Sequence, residues 1–151
     1  MKRIFLLLLV ALTAVQCNDD DDSVDQAAID NEIILQYIAD NDLDAQDIGR
    51  GLYFVDEETG TGENPTASST VRVAYRGYFP SGQVFDLSDP GGVVFSLNQV
   101  IEGWTIGIPY FKTGGKGMLL IPSALAYGTN PPPGIPANSV LIFDIHLINI
   151  L

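Results

Sequence analysis

The chain has 151 residues, 46% of them apolar, one cysteine, one histidine and a net charge of -12. That length allows one domain with extensions, and the apolar fraction suffices for a packed core. Residues 71–151 hold four acids and four bases, whereas residues 17–70 hold 15 acids and the single base Arg50; a neutral half behind an acidic arm argues against nucleic acid as a partner, because phosphate binding needs clustered Lys and Arg.

The first element in chain order is an export signal. Lys2 and Arg3 form a positive start, and Ile4 to Leu12 is an unbroken apolar run of nine residues. Such a run is too short to span a bilayer and suits a signal-peptide core. Thr13-Ala14-Val15-Gln16-Cys17 follows. A lone cysteine just after a signal core resembles the lipobox of bacterial lipoproteins, with Ala14 where Leu is usual and Gln16 where a small residue is usual. The resemblance implies cleavage after residue 16, lipidation of Cys17, and a membrane-anchored protein of the bacterial cell envelope, on the outer membrane or facing the periplasm. Removal of residues 1–16 takes Lys2 and Arg3 away, leaving five bases against 19 acids, a net charge of -14.

Residues 17–23 contain four consecutive aspartates, Asp19 to Asp22. Adjacent like charges repel and do not pack, so this stretch reads as a disordered tether. Val24 to Asn41 reads as an amphipathic helix capped by Asp25, with Ile29, Ile33, Ile34, Tyr37 and Ile38 at three- and four-residue steps. It forms a helical segment over 24–49 that is expected to pack on the following domain, with dimerisation as the other use of its apolar face.

From residue 50 the pattern is one of strands. Gly51 to Val55 is short and β-prone, and residues 57–65 read as a turn. Thr70 to Phe79 alternates, placing Val71, Val73, Tyr75, Gly77 and Phe79 on one face. Val84-Phe85-Asp86 and Val93 to Leu97 are short strands around the turn Asp89-Pro90-Gly91-Gly92. Val100, Ile101, Trp104 and Ile108 lie on one side of a short helix ended by Pro109. Lys116 to Ile121 is a strand, Pro122 to Ala137 a Pro/Gly loop, and Ser139 to Leu151 the last strand, with Leu141, Phe143, Ile145 and Leu147 on its apolar face. The fold class is therefore α+β: about five antiparallel strands with one short helix against a face of the sheet, preceded by the N-terminal helix.

Several segments together resemble one family. Val73-Ala74-Tyr75-Arg76-Gly77 followed by Gly82-Gln83-Val84-Phe85-Asp86 is similar to the V-x-Y-x-G and G-x-x-F-D strand pair of FKBP-type peptidyl-prolyl cis-trans isomerases. Val100-Ile101-Glu102-Gly103-Trp104 resembles that family's V-I-x-G-W motif. Ile121-Pro122-Ser123 with Leu125-Ala126-Tyr127-Gly128, and Gly134-Ile135-Pro136-Ala137-Asn138 with Leu141-Ile142-Phe143-Asp144, resemble its closing motifs. The likeness covers roughly residues 50–151, in order and with family-like spacing, and the compact Phe95–Val100 stretch looks most like the exported bacterial members. It implies a bent antiparallel sheet wrapped around a short helix, with an aromatic pocket between them. Trp104 would form the pocket floor, and Tyr75, Phe85, Val93, Phe95, Val100, Ile101, Tyr127 and Phe143 its walls. Asp86 would be a partly buried carboxylate beside it. Tyr75, Asp86 and Tyr127 would be the catalytic group, the Ile101 N–H would hold a substrate carbonyl, and Ile135 would lie in a flap over the site. Two positions depart from the family pattern: Val93 stands where an aromatic residue is usual, implying a wider or shallower pocket, and no base occurs in Leu87-Ser88-Asp89-Pro90 to pair with Asp86.

The chemistry implied breaks no covalent bond. Its barrier is the lost amide resonance, roughly 18–20 kcal/mol, and the site has only to bind the twisted amide better than either planar form. An apolar aromatic cleft favours that less charge-separated state and gives the proline ring a flat surface. No nucleophile, metal or cofactor is needed, and one His and one Cys leave little material for a triad or a zinc site. The partners implied are proline-containing polypeptides and, through the family, FKBP-directed macrolides. The alternative readings are a proline-peptide-binding chaperone module of the same fold with little turnover, and a structural envelope lipoprotein.

Overall fold

The computed structural model describes residues 25–151. The expected signal peptide, the lipidation site at Cys17 and the acidic tether lie outside the described residues.

Helix α1 spans Gln26–Asp40, and the Asp25 carboxylate accepts from the Ala27 and Ala28 N–H groups at its start, as expected of an N-cap. The buried stripe differs from the expected one. Ile34 is fully buried and Tyr37 and Ile38 pack partly, but Ile29 and Ile33 are exposed, and the buried residue one turn before Ile34 is Asp30. Apolar spacing does not register a carboxylate that finds buried donors.

Seven antiparallel strands follow: β1 (Ala45–Asp47), β2 (Tyr53–Glu58), β3 (Thr70–Tyr78), β4 (Val84–Leu87), β5 (Val93–Ser96), β6 (Lys116–Ile121) and β7 (Leu141–Ile150). Their order is β1-β2-β6-β7-β3-β4, with β5 pairing β3 beside β4. β1 lies within the stretch read as helical and carried no apolar signal, because its Ala-Gln-Asp sequence joins the sheet through backbone pairing with β2. β2 begins two residues later than expected, since Gly49, Arg50 and Gly51 all adopt positive φ in the β1–β2 turn.

Alternation along the strands builds two cores. Val71, Val73, Leu119, Ile121, Leu141, Phe143, Ile145 and Leu147 face inward together with Trp104 and Ile108. On the other face, Met118, Leu120 and Ile142 meet Ile34 and Tyr78, so α1 packs against the back of the sheet. The Tyr78 hydroxyl donates to Asp144 Oδ1 at 2.9 Å and accepts from the Tyr37 hydroxyl at 3.4 Å, adding polar contacts to this docking.

Helix α2 spans Glu102–Gly107 and passes into a 3-10 turn, Ile108–Tyr110, that contains Pro109. Val100 and Ile101, expected on the helix, precede it; Ile101 is its N-cap, and its carbonyl accepts from the Trp104 and Thr105 N–H groups. Helix and sheet approach closely at two glycines. A Cβ on Gly103 would lie 2.5 Å from Ile121 Cγ2, and one on Gly107 would lie 2.6 Å from Leu119 Cδ2. These contacts hold α2 flat against β6 and set the depth of Trp104 between them.

Gly107→Ala is therefore expected to destabilise the protein by about 1–3 kcal/mol through overpacking. Urea unfolding followed by the fluorescence of Trp104, the sole tryptophan, checks this; an unchanged midpoint would refute the close-contact account.

Candidate functional site

Six segments supply the walls of one cavity of about 450 Å³, lined by Tyr75, Phe85, Asp86, Phe95, Gln99, Val100, Ile101, Trp104, Tyr127 and Phe143. Tyr75 comes from β3, Phe85 and Asp86 from β4, Phe95 from β5, Trp104 from α2 and Phe143 from β7. The size falls within the range of small-molecule sites.

Its inner end is aromatic. Trp104 is 4% exposed and Phe143 5%, the most deeply set of the lining side chains. The indole centroid lies 5.2 Å from Tyr75, 5.2 Å from Phe95 and 5.3 Å from Phe143, with interplanar angles of 85°, 80° and 80°. None of these rings stacks flat on it; the edge-on arrangement is the one that aromatic quadrupoles favour. Phe85 meets Phe143 at 5.6 Å and 89°. That pair needs Gly77, where a Cβ would lie 2.7 Å from Phe85 and 2.8 Å from Phe143. The β3–β4 register shifts between Gly77 and Tyr78, leaving Phe85 as the extra residue. A bulge of this kind re-aims a side chain, and here Phe85 lies against the cavity instead of continuing the ladder.

The polar groups gather at the opening. The Tyr75 hydroxyl donates to Asp86 Oδ2 at 2.8 Å, and Asp86 Oδ1 accepts from the Leu87 N–H at 2.9 Å. Burial raises the Tyr75 phenol well above its ordinary value, and the bond to Asp86 raises it further. Tyr127, 40% exposed, is also raised, first by burial and then by the Asp86 charge. Both hydroxyls therefore stay protonated at neutral pH. Tyr75 spends its proton on Asp86, whereas the Tyr127 hydroxyl has no acceptor among the described residues. The Ile101 N–H likewise has none, because the N-cap's carbonyl, not its amide, enters the helix. The buried Trp104 Nε1–H is also unpartnered.

Nine of the eleven expected pocket residues are brought together. Val93 is not: it is 41% exposed and absent from the cavity wall, because it pairs with Val73 two residues further along the strand from Phe95. Ile135 lines an adjoining cavity of about 390 Å³ with Pro132, Pro133 and Gly134, which shares Phe85, Asp86 and Tyr127 with the first. Asp86, expected to be partly buried, is exposed, and among the described residues it joins no ion pair. Gln99 was not anticipated as a lining residue. It precedes Val100 in a turn, and a polar side chain there gives no periodic signal.

A family model, FKBP-type peptidyl-prolyl cis-trans isomerase, matches residues 61–148. The chain therefore belongs to the FKBP family. The FKBP-type peptidyl-prolyl cis-trans isomerase FkpA of Escherichia coli is 46% identical over 102 residues, which are 66% of this chain and 38% of that protein. FK506-binding protein 4 of Dictyostelium discoideum is 41% identical over 102 residues, 66% of this chain and 28% of its own length. The chain thus spans well under half the length of these curated relatives. Among solved structures, a peptidyl-prolyl cis-trans isomerase of Pseudomonas syringae pv. tomato superposes with a TM-score of 0.74 at 31% identity, covering 83% of this chain and 92% of that one. Crystalline FkpA of Escherichia coli also gives 0.74, at 38% identity, over 86% of this chain and 61% of that one.

The raised phenols make a statement about alkaline stability. The unfolded chain ionises its tyrosines near pH 10, while Tyr75, Tyr78 and Tyr127 resist ionisation in the fold. Between those limits the native state holds more protons, so stability falls as pH rises above about 10. Urea midpoints measured from pH 8 to 11 are expected to be flat at first and then to decline, less steeply in Tyr75→Phe; equal slopes in the two proteins would count against the burial of that hydroxyl.

Proposed function

We propose that the protein is a peptidyl-prolyl cis-trans isomerase that acts on Xaa-Pro bonds of exported polypeptides. The observation that carries this reading is the edge-framed indole of Trp104 at the inner end of an open aromatic cavity, with the Ile101 N–H and the Tyr127 hydroxyl as free donors at its mouth. A proline ring would rest against Trp104 among Tyr75, Phe95 and Phe143. Val100 and Ile101 would close one side and Phe85 the other.

Uncatalysed isomerisation takes roughly tens to hundreds of seconds. Moving the amide from water to this cavity favours the twisted form, whose charge separation is reduced. The Ile101 N–H would hold a substrate carbonyl, and the Tyr127 hydroxyl would donate to a second, so that the chain on either side of the bond is fixed while the bond turns. Asp86 takes no proton in this scheme; it fixes the Tyr75 ring through its hydroxyl and leaves a negative rim. Each 1.4 kcal/mol of preference for the twisted amide is worth about tenfold in rate. The unpartnered indole N–H supports a functional role for Trp104, since a buried donor without an acceptor costs about 1–3 kcal/mol that a phenyl ring would avoid.

The signal-like apolar run Ile4–Leu12 and the lipobox-like Cys17 support a lipid-anchored location in a bacterial envelope. An FKBP-directed macrolide is expected to enter the same cavity.

Two measurements test these readings. On an Ala-Leu-Pro-Phe peptide the wild type should accelerate isomerisation; Trp104→Phe should keep stability within about 1 kcal/mol, because lost packing is offset by relief of the unpaired donor, yet lower kcat/KM about tenfold or more. Peptide binding without any turnover would replace the isomerase with a proline-binding chaperone module. For the anchor, labelled palmitate should enter the wild type and not Cys17→Ser, and the variant should leave the membrane fraction; label retained in the variant would overturn lipidation at that residue.

A further inference from the structure

Asp30 and Ser123 are the two buried polar side chains among the described residues, at 1% and 2% exposure, and they bind each other. Asp30 Oδ2 accepts from the Ser123 N–H at 2.7 Å and from its hydroxyl at 2.5 Å, while Oδ1 accepts from Gln26 Nε2 at 2.7 Å. A buried carboxylate is costly unless its oxygens are satisfied, and three donors satisfy these. The bond crosses 93 residues, from a helix outside the residues the family model matches to the segment that follows β6.

What Asp30 holds matters more than the bond itself. β6 ends at Ile121, Pro122 has no N–H, and Ser123 opens the 3-10 turn Ser123–Leu125. The Ser123 carbonyl then accepts from two amides, Ala126 N–H at 3.0 Å and Gly128 N–H at 2.9 Å, which flank Tyr127. Gly128 has a φ of +55°, and its carbonyl accepts from the Asn138 N–H at 2.8 Å, closing the loop that carries Ile135. Tyr127 thus hangs between two amides fixed to one carbonyl, and the residue owning that carbonyl is fixed by Asp30. No strand pairing does this work for Ser123, whose N–H lies past the end of the β6–β7 ladder at Ile121↔Leu141.

We infer that Asp30 is a positioning residue for Tyr127: through Ser123, helix α1 sets where the Tyr127 hydroxyl stands over the cavity. The inference rests on the isomerase reading for its kinetic consequence but not for its structural one. Asp30→Ala leaves two Ser123 donors without an acceptor and frees the turn; Asp30→Asn keeps one acceptor oxygen and should act as a partial rescue.

The experiment uses the full chain, with Asp30→Ala, Asp30→Asn, Tyr127→Phe and the Asp30→Ala/Tyr127→Phe double variant, each assayed well below its unfolding midpoint. Native-state hydrogen exchange should show the Ala126 and Gly128 amides exchanging at least about tenfold faster in Asp30→Ala, with β7 amides unchanged and Asp30→Asn in between. Isomerase kcat/KM should fall about tenfold in Asp30→Ala and no further in the double variant than in Tyr127→Phe. Additive losses, or loss of protection spread evenly over the sheet, would make Asp30 merely structural and overturn the proposal. If Asp30→Ala does not fold, the Asp30→Asn exchange pattern and its cycle with Tyr127→Phe decide by the same criteria. Should the wild type show no turnover, the isomerase reading fails, and the exchange at Ala126 and Gly128 still decides whether Asp30 holds that segment.

Discussion

The cavity exists because a six-residue helix lies hard against the sheet. Gly103 and Gly107 bring the α2 backbone onto the side chains of Ile121 and Leu119, at distances where a methyl group would not fit. Trp104 sits between these glycines, so its depth is set by backbone contact and not by the shape of its own ring. The adjoining rings inherit that position: Tyr75, Phe95 and Phe143 each meet the indole edge-on at little more than 5 Å. A core packed to ordinary density would close over such a cluster. Here the bulge at Phe85 and the bare Cα of Gly77 turn a fourth ring along the wall, and the cavity stays open.

Polarity follows depth. The inner end holds rings and one unpartnered indole N–H; the mouth holds a carboxylate, two hydroxyls and a free backbone amide. Charge is confined to Asp86, which is exposed and occupied by Tyr75 and Leu87. That gradient suits a reaction that makes no ion. A group able to shift protons would serve acyl transfer or hydrolysis, but rotation about an amide asks only that the apolar end receive the ring and that donors at the rim hold what flanks it.

Much of this was legible in the chain. Period-two alternation identified β3 and β7 with the correct inward faces, because both strands are long and each is buried on one side by the same core. The motif segments located nine cavity residues, since glycines, aromatics and prolines at fixed spacing record close approaches that few other residues permit. What escaped notice had no apolar signature. β1 joins the sheet by main-chain pairing with β2, and Ala45 is its one apolar side chain against the core. Asp30 occupies a core position that hydrophobic spacing assigns to its isoleucine neighbours, and the reason lies 93 residues away at Ser123. Val93 shares a strand and a face with Phe95, yet only Phe95 reaches the cavity, and strand parity alone does not separate the two. Gln99 sits in a turn, where period carries no information.

The two faces of the sheet are therefore not independent. The inner face holds Trp104 through α2, while the outer face carries α1, whose Ile34 packs on Met118, Leu120 and Ile142. Leu119 and Leu120 are adjacent in β6 and point to opposite cores, so the strand that fixes the pocket's floor also seats the N-terminal helix. At the end of that same strand the chain turns through Ser123 toward Tyr127, and the helix reaches around to meet it. Floor and rim are thus referenced to one element, β6, from its two sides. On the isomerase reading such a common reference matters, because a displacement of floor relative to rim would alter the fit to a twisted peptide bond even with every group still present.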